Sequence, residues 1–512
     1  MSAQRESEHN TDRFYFRVAR RFIDAYFSNI HTIQPLFEEE VFLDRCEDLW
    51  FDGPGKPPLS FVALYFAVLS LGSLVMPGSE GWEVAGADRF TWSRKLFQKT
   101  QSIVTELGTA TDLEMVQCFY LMSKICQHEL NPHISYLYSG QAARTALAIG
   151  INRRPVSPES ADPRTSTTAS QTWWAVYCLD IQTSFALGRP DSLGPDEYHT
   201  QVLPGATLQQ SPPSLLQVVP CMVELSRIMR KVSLELYTQE WEMAEKLHRA
   251  KALDVVLENW LQHLPPHYRA EHQSSSDQSL KPSRRANYVK KQSVVLRLRY
   301  LNLRMLIHGV FMTDAEATRS DGNTCLRKCQ CQCMRTAEDT IDLMYETFRC
   351  DDFFQTWWYN ATYTLFAVST LLAAVFHRLP RTRQGLESHF THIDRAIEVL
   401  QAMDECLVVR NSIIIIKRTL TRAKGVPQPA MTAHQSISTV DGIVDNALRP
   451  SASSEHRQGS AGLDALSQPQ ALVRGPEEDV NDIDWLTAYT FDDGQQALFW
   501  TEWANELDSL GT

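Results

Sequence analysis

Apolar residues recur every three or four positions through most of this chain, and this spacing restricts its fold more than any other feature. The segment Met115–Ile125 shows the period clearly, since its apolar side chains fall on one face of a helix. Thr111 and Glu114 have the spacing of a capping box and predict where that helix begins. The alternating pattern of strands is scarce and no internal repeat is found, so the sequence predicts an all-α protein.

The same period, read with glycine and proline as end signals, locates further helices. Gly150, followed by Pro155, predicts a left-handed helix end. Polar, proline-containing stretches at 152–170 and 271–285 predict loops. The predicted helices, besides the one above, are 13–27, 61–75, 92–106, 135–150, 244–263, 288–311, 329–347, 357–376 and 393–403.

The composition excludes secreted and membrane-spanning classes of protein. The first residues are too charged for a secretory signal, and the longest apolar runs, 59–76 and 364–376, fit buried helices better than bilayer spans. Eleven cysteines at irregular spacing indicate reduced thiols inside the cell. The net charge of -12 is a property of the C-terminus, because residues 475–512 hold ten acids and no Lys or Arg.

The most aromatic helix of the chain lies at residues 172–193, TWWAVYCLDIQTSFALGRPDSL. Apolar residues cover most of its circumference, which predicts burial between other helices. Gly188 would end the helix in a left-handed turn, and Pro190 would hold Arg189 extended. We expect Arg189 to act as a buried structural lock that reaches carbonyl groups or Asp180.

This stretch, with VLP at 202–204, closely resembles the fungal-specific transcription factor domain, the middle homology region of fungal zinc-cluster regulators. Similar segments follow the family order over roughly residues 13–420. The resemblance implies an all-α, multi-helix regulatory domain and a nuclear role in transcription. The quoted motifs are 26–42, 136–153, 294–311 and 357–375, and the structural signature residues are Trp173, Trp174, Tyr177, Asp180, Gly188, Arg189 and Pro190.

The chain departs from the family pattern at its beginning. Family members usually carry an N-terminal binuclear zinc cluster of six cysteines, whereas the first cysteine here is Cys46. The body is nearly neutral and shows no basic stripe, so we expect poor direct DNA binding. DNA contact would come from a missing zinc cluster or from a DNA-binding zinc-cluster partner, in a homo- or heterodimer.

Acids and aromatic residues alternate in the C-terminal tail, a pattern typical of acidic activation segments that bind coactivators. A permanently docked amphipathic helix is the alternative. The basic segment 281–291 is a weak candidate nuclear import signal. The apolar residues assigned to the activation segment are Trp485, Leu486, Tyr489, Phe491, Phe499, Trp500 and Trp503.

Two segments suggest metal sites, and each has a simpler interpretation. Cys325, Cys329, Cys331 and Cys333 would spread over about 12 Å if helical, too far for one tetrahedral ion. Cys329 and Cys333 instead continue an apolar helical stripe toward Phe348. We therefore predict no metal site there.

DDFFQ at 351–355 resembles the aspartate-rich magnesium motif of terpene synthases. However, Gln355 replaces the third acid, and Trp485 stands where the second motif needs a hydroxyl. Asp351 or Asp352 as a helix N-cap is the simpler reading. No phosphate loop, dinucleotide fingerprint or nucleophile elbow is found, so we predict no enzyme and no cofactor.

The sequence thus predicts a flexible N-terminus at 1–12, a regulatory domain at 13–426, a disordered linker at 427–480 and an activation segment at 481–512. The predicted function is that of a nuclear transcriptional regulator of a pathway-specific gene set. A non-activating helical protein that dimerises with or competes against a full zinc-cluster factor is the alternative. A magnesium-dependent terpene-synthase-like enzyme is a remote third.

Overall fold

The computed structural model describes residues 18–51, 57–76, 87–154, 163–205, 214–269, 284–312, 324–350, 358–403 and 407–425. These residues form fifteen α-helices and no strand, which confirms the all-α prediction. The helices are α1 (18–26), α2 (Glu39–Trp50), α3 (Leu59–Leu74), α4 (Arg89–Leu107), α5 (Leu113–His128), α6 (Pro132–Ala148), α7 (Pro163–Ala186), α8 (Val218–Val232), α9 (Met243–His263), α10 (Pro266–Arg269), α11 (Arg284–Gly309), α12 (Thr324–Cys350), α13 (Trp358–Phe376), α14 (Arg383–Met403) and α15 (Leu407–Gly425).

Helix α3 is apolar around its whole circumference and lies in the middle of the N-terminal half, against α4 and α5. Its Gly72 lies against the main chain of α1, where a β-carbon would overlap the Phe22 carbonyl group. Ser70 of the same helix hydrogen-bonds to Ser93 of α4, which satisfies a buried hydroxyl at the contact. Small residues therefore let three helices approach closely.

Side-chain caps fix where the helices of this half begin. Asp112 caps α5 by accepting a hydrogen bond from the Met115 N–H at 2.8 Å, so the predicted cap at Thr111 is wrong by one residue. A carboxylate at this position also interacts favourably with the positive end of the helix dipole. Asn131 caps α6, whose first residue is Pro132, where a missing N–H costs nothing.

The predicted loop at 152–170 is wrong over its second part, because α7 already begins at Pro163. Proline is favourable in the first helical turn, and the polar residues after it lead into a segment that the body buries from Ser170 onward. Helices α2, α8 and α15 were also not predicted from the sequence, although α8 has a continuous apolar face.

Helix α12 organises the C-terminal half by packing on α11, α13 and α14. The predicted stripe lies on its inner face: Cys329, Cys333, Ala337, Ile341 and Met344 are buried. Polar contacts of α11 connect this half to earlier parts of the chain. Gln292 of α11 donates hydrogen bonds to the Thr32 and Leu215 carbonyl oxygens, at 2.7 and 3.1 Å.

Within the part of the chain that the structure describes, no helix combines the length and the apolar character needed to cross a bilayer. The apolar run of α3 serves instead as the centre of a helix layer.

Candidate functional site

The aromatic helix α7 is followed by an irregular segment, residues 187–203, which we call the strap. Gly188 has a φ of 61°, and its left-handed turn lets the Arg189 N–H donate to the Ser184 carbonyl oxygen at 2.9 Å. The predicted helix end at Gly188 is therefore present. The turn reverses the chain direction, and the strap runs back along α7.

Asp180, fully buried in α7, holds the beginning of the strap. Its carboxylate accepts hydrogen bonds from the Ser139 hydroxyl of α6 at 3.1 Å and from the Ser192 N–H of the strap at 2.6 Å. Burial raises the pKa of Asp180, although these two hydrogen bonds oppose the shift. One side chain thus connects two helices and the strap.

Arg189 does not occupy the expected buried position. The residue is exposed, and its guanidinium carbon lies 5.6 Å from the ring centre of Tyr136, in a cation–π arrangement. The Tyr136 hydroxyl in turn donates to the Pro190 carbonyl oxygen at 2.9 Å. The prediction of a buried lock on Asp180 is wrong because the Ser192 N–H and the Ser139 hydroxyl already satisfy that carboxylate, so the arginine stays in water.

The middle of the strap places His199 against the aromatic face of α7. The His199 ring lies 4.8 Å from the Trp173 ring and 5.8 Å from the Tyr177 ring, centre to centre. Burial lowers the pKa of His199; the neighbouring Asp196 and Asp191 carboxylates and the Leu193 carbonyl oppose that shift. Neither ring nitrogen makes a hydrogen bond within ordinary limits to the residues the structure describes.

The end of the strap is fixed to α7 and to the turn after α6. Trp174 donates from its indole nitrogen to the Val202 carbonyl oxygen at 3.0 Å. The Gln201 side chain donates to the carbonyl oxygens of Ile151 and Arg153, at 2.9 and 3.2 Å. The predicted signature residues Trp173, Trp174, Tyr177 and Asp180 therefore all contact or hold the strap.

Helix α8 covers the strap from the other side, through residues that the sequence did not single out. Arg230 donates to both carboxylate oxygens of Asp191, to Asp196 at 2.9 Å and to the Gly194 carbonyl oxygen at 2.6 Å. The Tyr177 hydroxyl donates to the same Asp196 at 2.8 Å. Apolar periodicity in 218–232 could have located the helix, but no sequence signal pairs Arg230 with an aspartate 39 positions away.

A cleft of about 520 Å³ opens beside this assembly. Arg154, Arg227 and the Trp174 indole line this cleft, next to the buried imidazole of His199. Its lining residues are Arg154, Trp174, His199, Thr200, Gln201, Val202, Leu203 and Arg227.

The remaining candidate positions are separate from this cleft. Cys331 is exposed on α12 while Cys329 and Cys333 are buried, and no group of three potential metal ligands comes together among the described residues. In the basic segment, Lys291 is buried and donates to the Asn29 side chain at 3.3 Å, so the described part of this segment belongs to helix α11.

Several predicted positions lie outside the described residues. They are Asp351, Asp352 and Gln355, the linker at 427–480, and every residue of the activation segment at 481–512.

Comparison with known proteins gives a consistent result. Residues 23–262 match the family model described as the fungal specific transcription factor domain. Over 403 residues the chain is 22% identical to an uncharacterized transcriptional regulatory protein of Schizosaccharomyces pombe, covering 76% of this chain and 48% of that protein. It is 23% identical to the acetamidase regulatory protein of Aspergillus fumigatus, covering 67% of this chain and 41% of that protein.

A third relative is the sorbicillinoid biosynthetic cluster transcription factor 2 of Penicillium rubens, 22% identical over 83% of this chain and 63% of that protein. The chain thus spans less than two thirds of the length of these relatives. The fold is similar to a chain in the structure of the K. lactis CBF3 core, with a TM-score of 0.50, 12% identity, and coverage of 80% of this chain and 81% of that one.

Proposed function

We propose that this chain acts as a transcriptional regulator in the nucleus of a fungal cell, because its residues 23–262 match the fungal specific transcription factor domain. The observation that carries the proposal is the family match over α1–α9, the part of the chain in which the signature residues hold the strap. The relatives named above are transcriptional regulators, and one is a factor for a single biosynthetic gene cluster. By analogy, the target is a pathway-specific gene set.

The roles that we propose for the helical body and for the tail follow from their charge and packing. The helical body provides a rigid surface for protein contacts, and the acidic-aromatic tail at 481–512 recruits coactivators. A DNA-binding zinc-cluster segment or partner supplies the DNA contact, because the body is nearly neutral and its sequence carries no basic stripe for phosphate binding. We assign the chain no catalytic activity and no resident cofactor.

A tethered reporter assay tests this proposal. The whole chain is fused to an unrelated DNA-binding domain, and its activity is compared with that of the same fusion ending at residue 480. We expect activation by the whole chain and its loss without the tail. Replacing Trp500 and Trp503 with alanine should also reduce activation, whereas the matched pair Gln495→Ala and Gln496→Ala should not.

Full activation by the fusion that ends at residue 480 would contradict the role of the tail. Activation by neither fusion, together with unchanged transcript levels in a gene-deletion strain, would contradict the proposal as a whole. The second candidate, a helical protein that inhibits a full zinc-cluster factor by dimerising with it, then predicts inhibition that does not depend on the tail.

A further inference from the structure

We propose that the cleft beside the strap is a binding site for a small planar organic anion, an aromatic carboxylate. The site consists of Arg154, Arg227, Trp174 and His199, which come from the turn after α6, from α8, from α7 and from the strap. A volume of about 520 Å³ is in the range of small-molecule sites.

The charges around the cleft favour an anion. Arg154 uses only its Nε in its described hydrogen bond, to the Thr200 carbonyl oxygen at 3.1 Å, and it is exposed. Arg227 lies 3.5 Å from Asp196, a loose ion pair, and the same aspartate is already bound by Arg230. Asp191 is likewise occupied by Arg230, so the cationic side chains that line the cleft, Arg154 and Arg227, keep donors available to an anion, and no acidic side chain is among the described lining residues.

The aromatic wall favours a planar ligand. The guanidinium carbon of Arg227 lies 5.7 Å from the Trp174 ring centre. The Trp174 ring is held by its hydrogen bond to the Val202 carbonyl oxygen and by the Tyr177 ring, 5.3 Å away, so its orientation is set before a ligand binds. Because Trp174 is only 2% exposed, a ligand ring would meet the edge of the indole and stack on the planar guanidinium of one arginine, while its carboxylate pairs with the other arginine.

His199 is the feature that points to a missing ligand rather than to a surface depression. It lines the cleft, only 8% of the residue is exposed, and neither ring nitrogen makes a hydrogen bond within ordinary limits to the described residues; the nearby Leu193 carbonyl can engage only one of the two nitrogens. A buried polar group without a partner lowers the stability of the fold by about 1–3 kcal/mol. A hydrogen bond from the imidazole N–H to a ligand oxygen would remove this penalty. The buried His199 imidazole and the two arginines, Arg154 and Arg227, therefore line the same cavity.

Direct titration of the purified chain tests the inference, with 2-naphthoate as the probe and neutral 2-naphthamide as its isostere. We expect calorimetry to show binding of 2-naphthoate and binding of 2-naphthamide at least tenfold weaker, because the amide carries no negative charge and only one acceptor oxygen for the guanidinium groups. Arg227→Gln and Arg154→Gln should each weaken 2-naphthoate binding about tenfold, and His199→Phe should also weaken it. Arg383→Gln is the matched control, since that arginine is 86% exposed on α14 and pairs only locally with Glu387.

Equal affinity for the acid and the amide, or unchanged affinity in both arginine variants, would overturn the inference. So would no detectable 2-naphthoate binding at millimolar concentration by a chain whose melting temperature shows that it is folded. These results do not depend on the proposed function, because binding is measured without transcription.

Discussion

Arg230 binds Asp191 through two parallel hydrogen bonds, one of them from Nε to Oδ2 at 2.8 Å, although 39 residues separate the two positions. The pair is largely buried, with 16% and 17% of the two side chains exposed. Desolvation of the charges opposes this arrangement, but the fixed fork of the guanidinium matches the carboxylate. The contact connects α8 to the strap and so fixes the segment that forms one wall of the cleft.

We expect Arg230→Ala to destabilise the protein by about 2–4 kcal/mol, because Asp191 would stay buried without its partner. Urea unfolding followed by circular dichroism measures this change. Lys231→Ala is the matched control on the same helix, where the side chain is exposed, and its effect should stay within about 0.5 kcal/mol. Equal effects of the two substitutions would show that the Arg230 contacts contribute nothing to stability.

Gly72→Ala should destabilise the N-terminal half by about 3 kcal/mol or more, because the added methyl group overlaps the Phe22 carbonyl group, and main chain cannot rotate away. Gly309→Ala is a suitable comparison, since its β-carbon meets nothing within 4 Å at the end of α11. Thermal unfolding should show a clear drop for the first variant and little change for the second. A similar melting temperature for both would mean that α1 and α3 are not in close contact.

Glu338 of α12 should contribute stability in a pH-dependent way. Burial raises its pKa, but hydrogen bonds from His389 and Ser388 of α14 outweigh burial, so the pKa is lowered from its ordinary value of 4.5. For an acid with a depressed folded-state pKa, the stabilisation is complete above the unfolded value and is lost as the pH falls through the folded value. Wild type should thus exceed Glu338→Gln in unfolding free energy above pH 4.5, with the difference shrinking in more acidic solution.

Urea unfolding between pH 3 and pH 7 provides this measurement. The control is Glu387→Gln, because that carboxylate is 61% exposed in a local ion pair with Arg383 and should contribute about 0–1 kcal/mol at most. A difference between wild type and Glu338→Gln that stays constant across this range would contradict the prediction.

Cys331 should react with iodoacetamide before the eight other cysteines whose side chains the structure describes, because it is the exposed one of this set and Cys325 is partly buried. Burial raises the pKa of Cys329 to about 11 and that of Cys333 to about 12, which further slows their reaction. Peptide mass spectrometry after brief labelling should find the label on Cys331, and Cys331→Ser should remove it. Early labelling of Cys333 would show that α12 is not packed as described.

The sequence predicted the helical class and most helices because a period of 3.6 residues is a local property, readable without knowledge of neighbours. It also located the end of α7, since a glycine with a positive φ follows a long apolar helix there. The errors in helix boundaries arose where two neighbouring residues could each begin a helix and residue spacing does not choose between them. Asp112 rather than Thr111 caps α5, and Pro163 begins a helix inside a predicted loop.

What the sequence by itself determined, then, is an all-α body with an aromatic signature helix and its family relationship. Only the tertiary structure showed the role of that helix, which is to hold the strap. Asp180, and not Arg189, makes the buried hydrogen bond to the strap, and His199 packs against Trp173. Arg230, which binds the strap from α8, lies on a helix that the sequence analysis did not predict. The physical reason is distance along the chain. Periodicity reports which face of a helix is buried, whereas the partner of each buried polar group depends on which segments the packing of the whole body brings together.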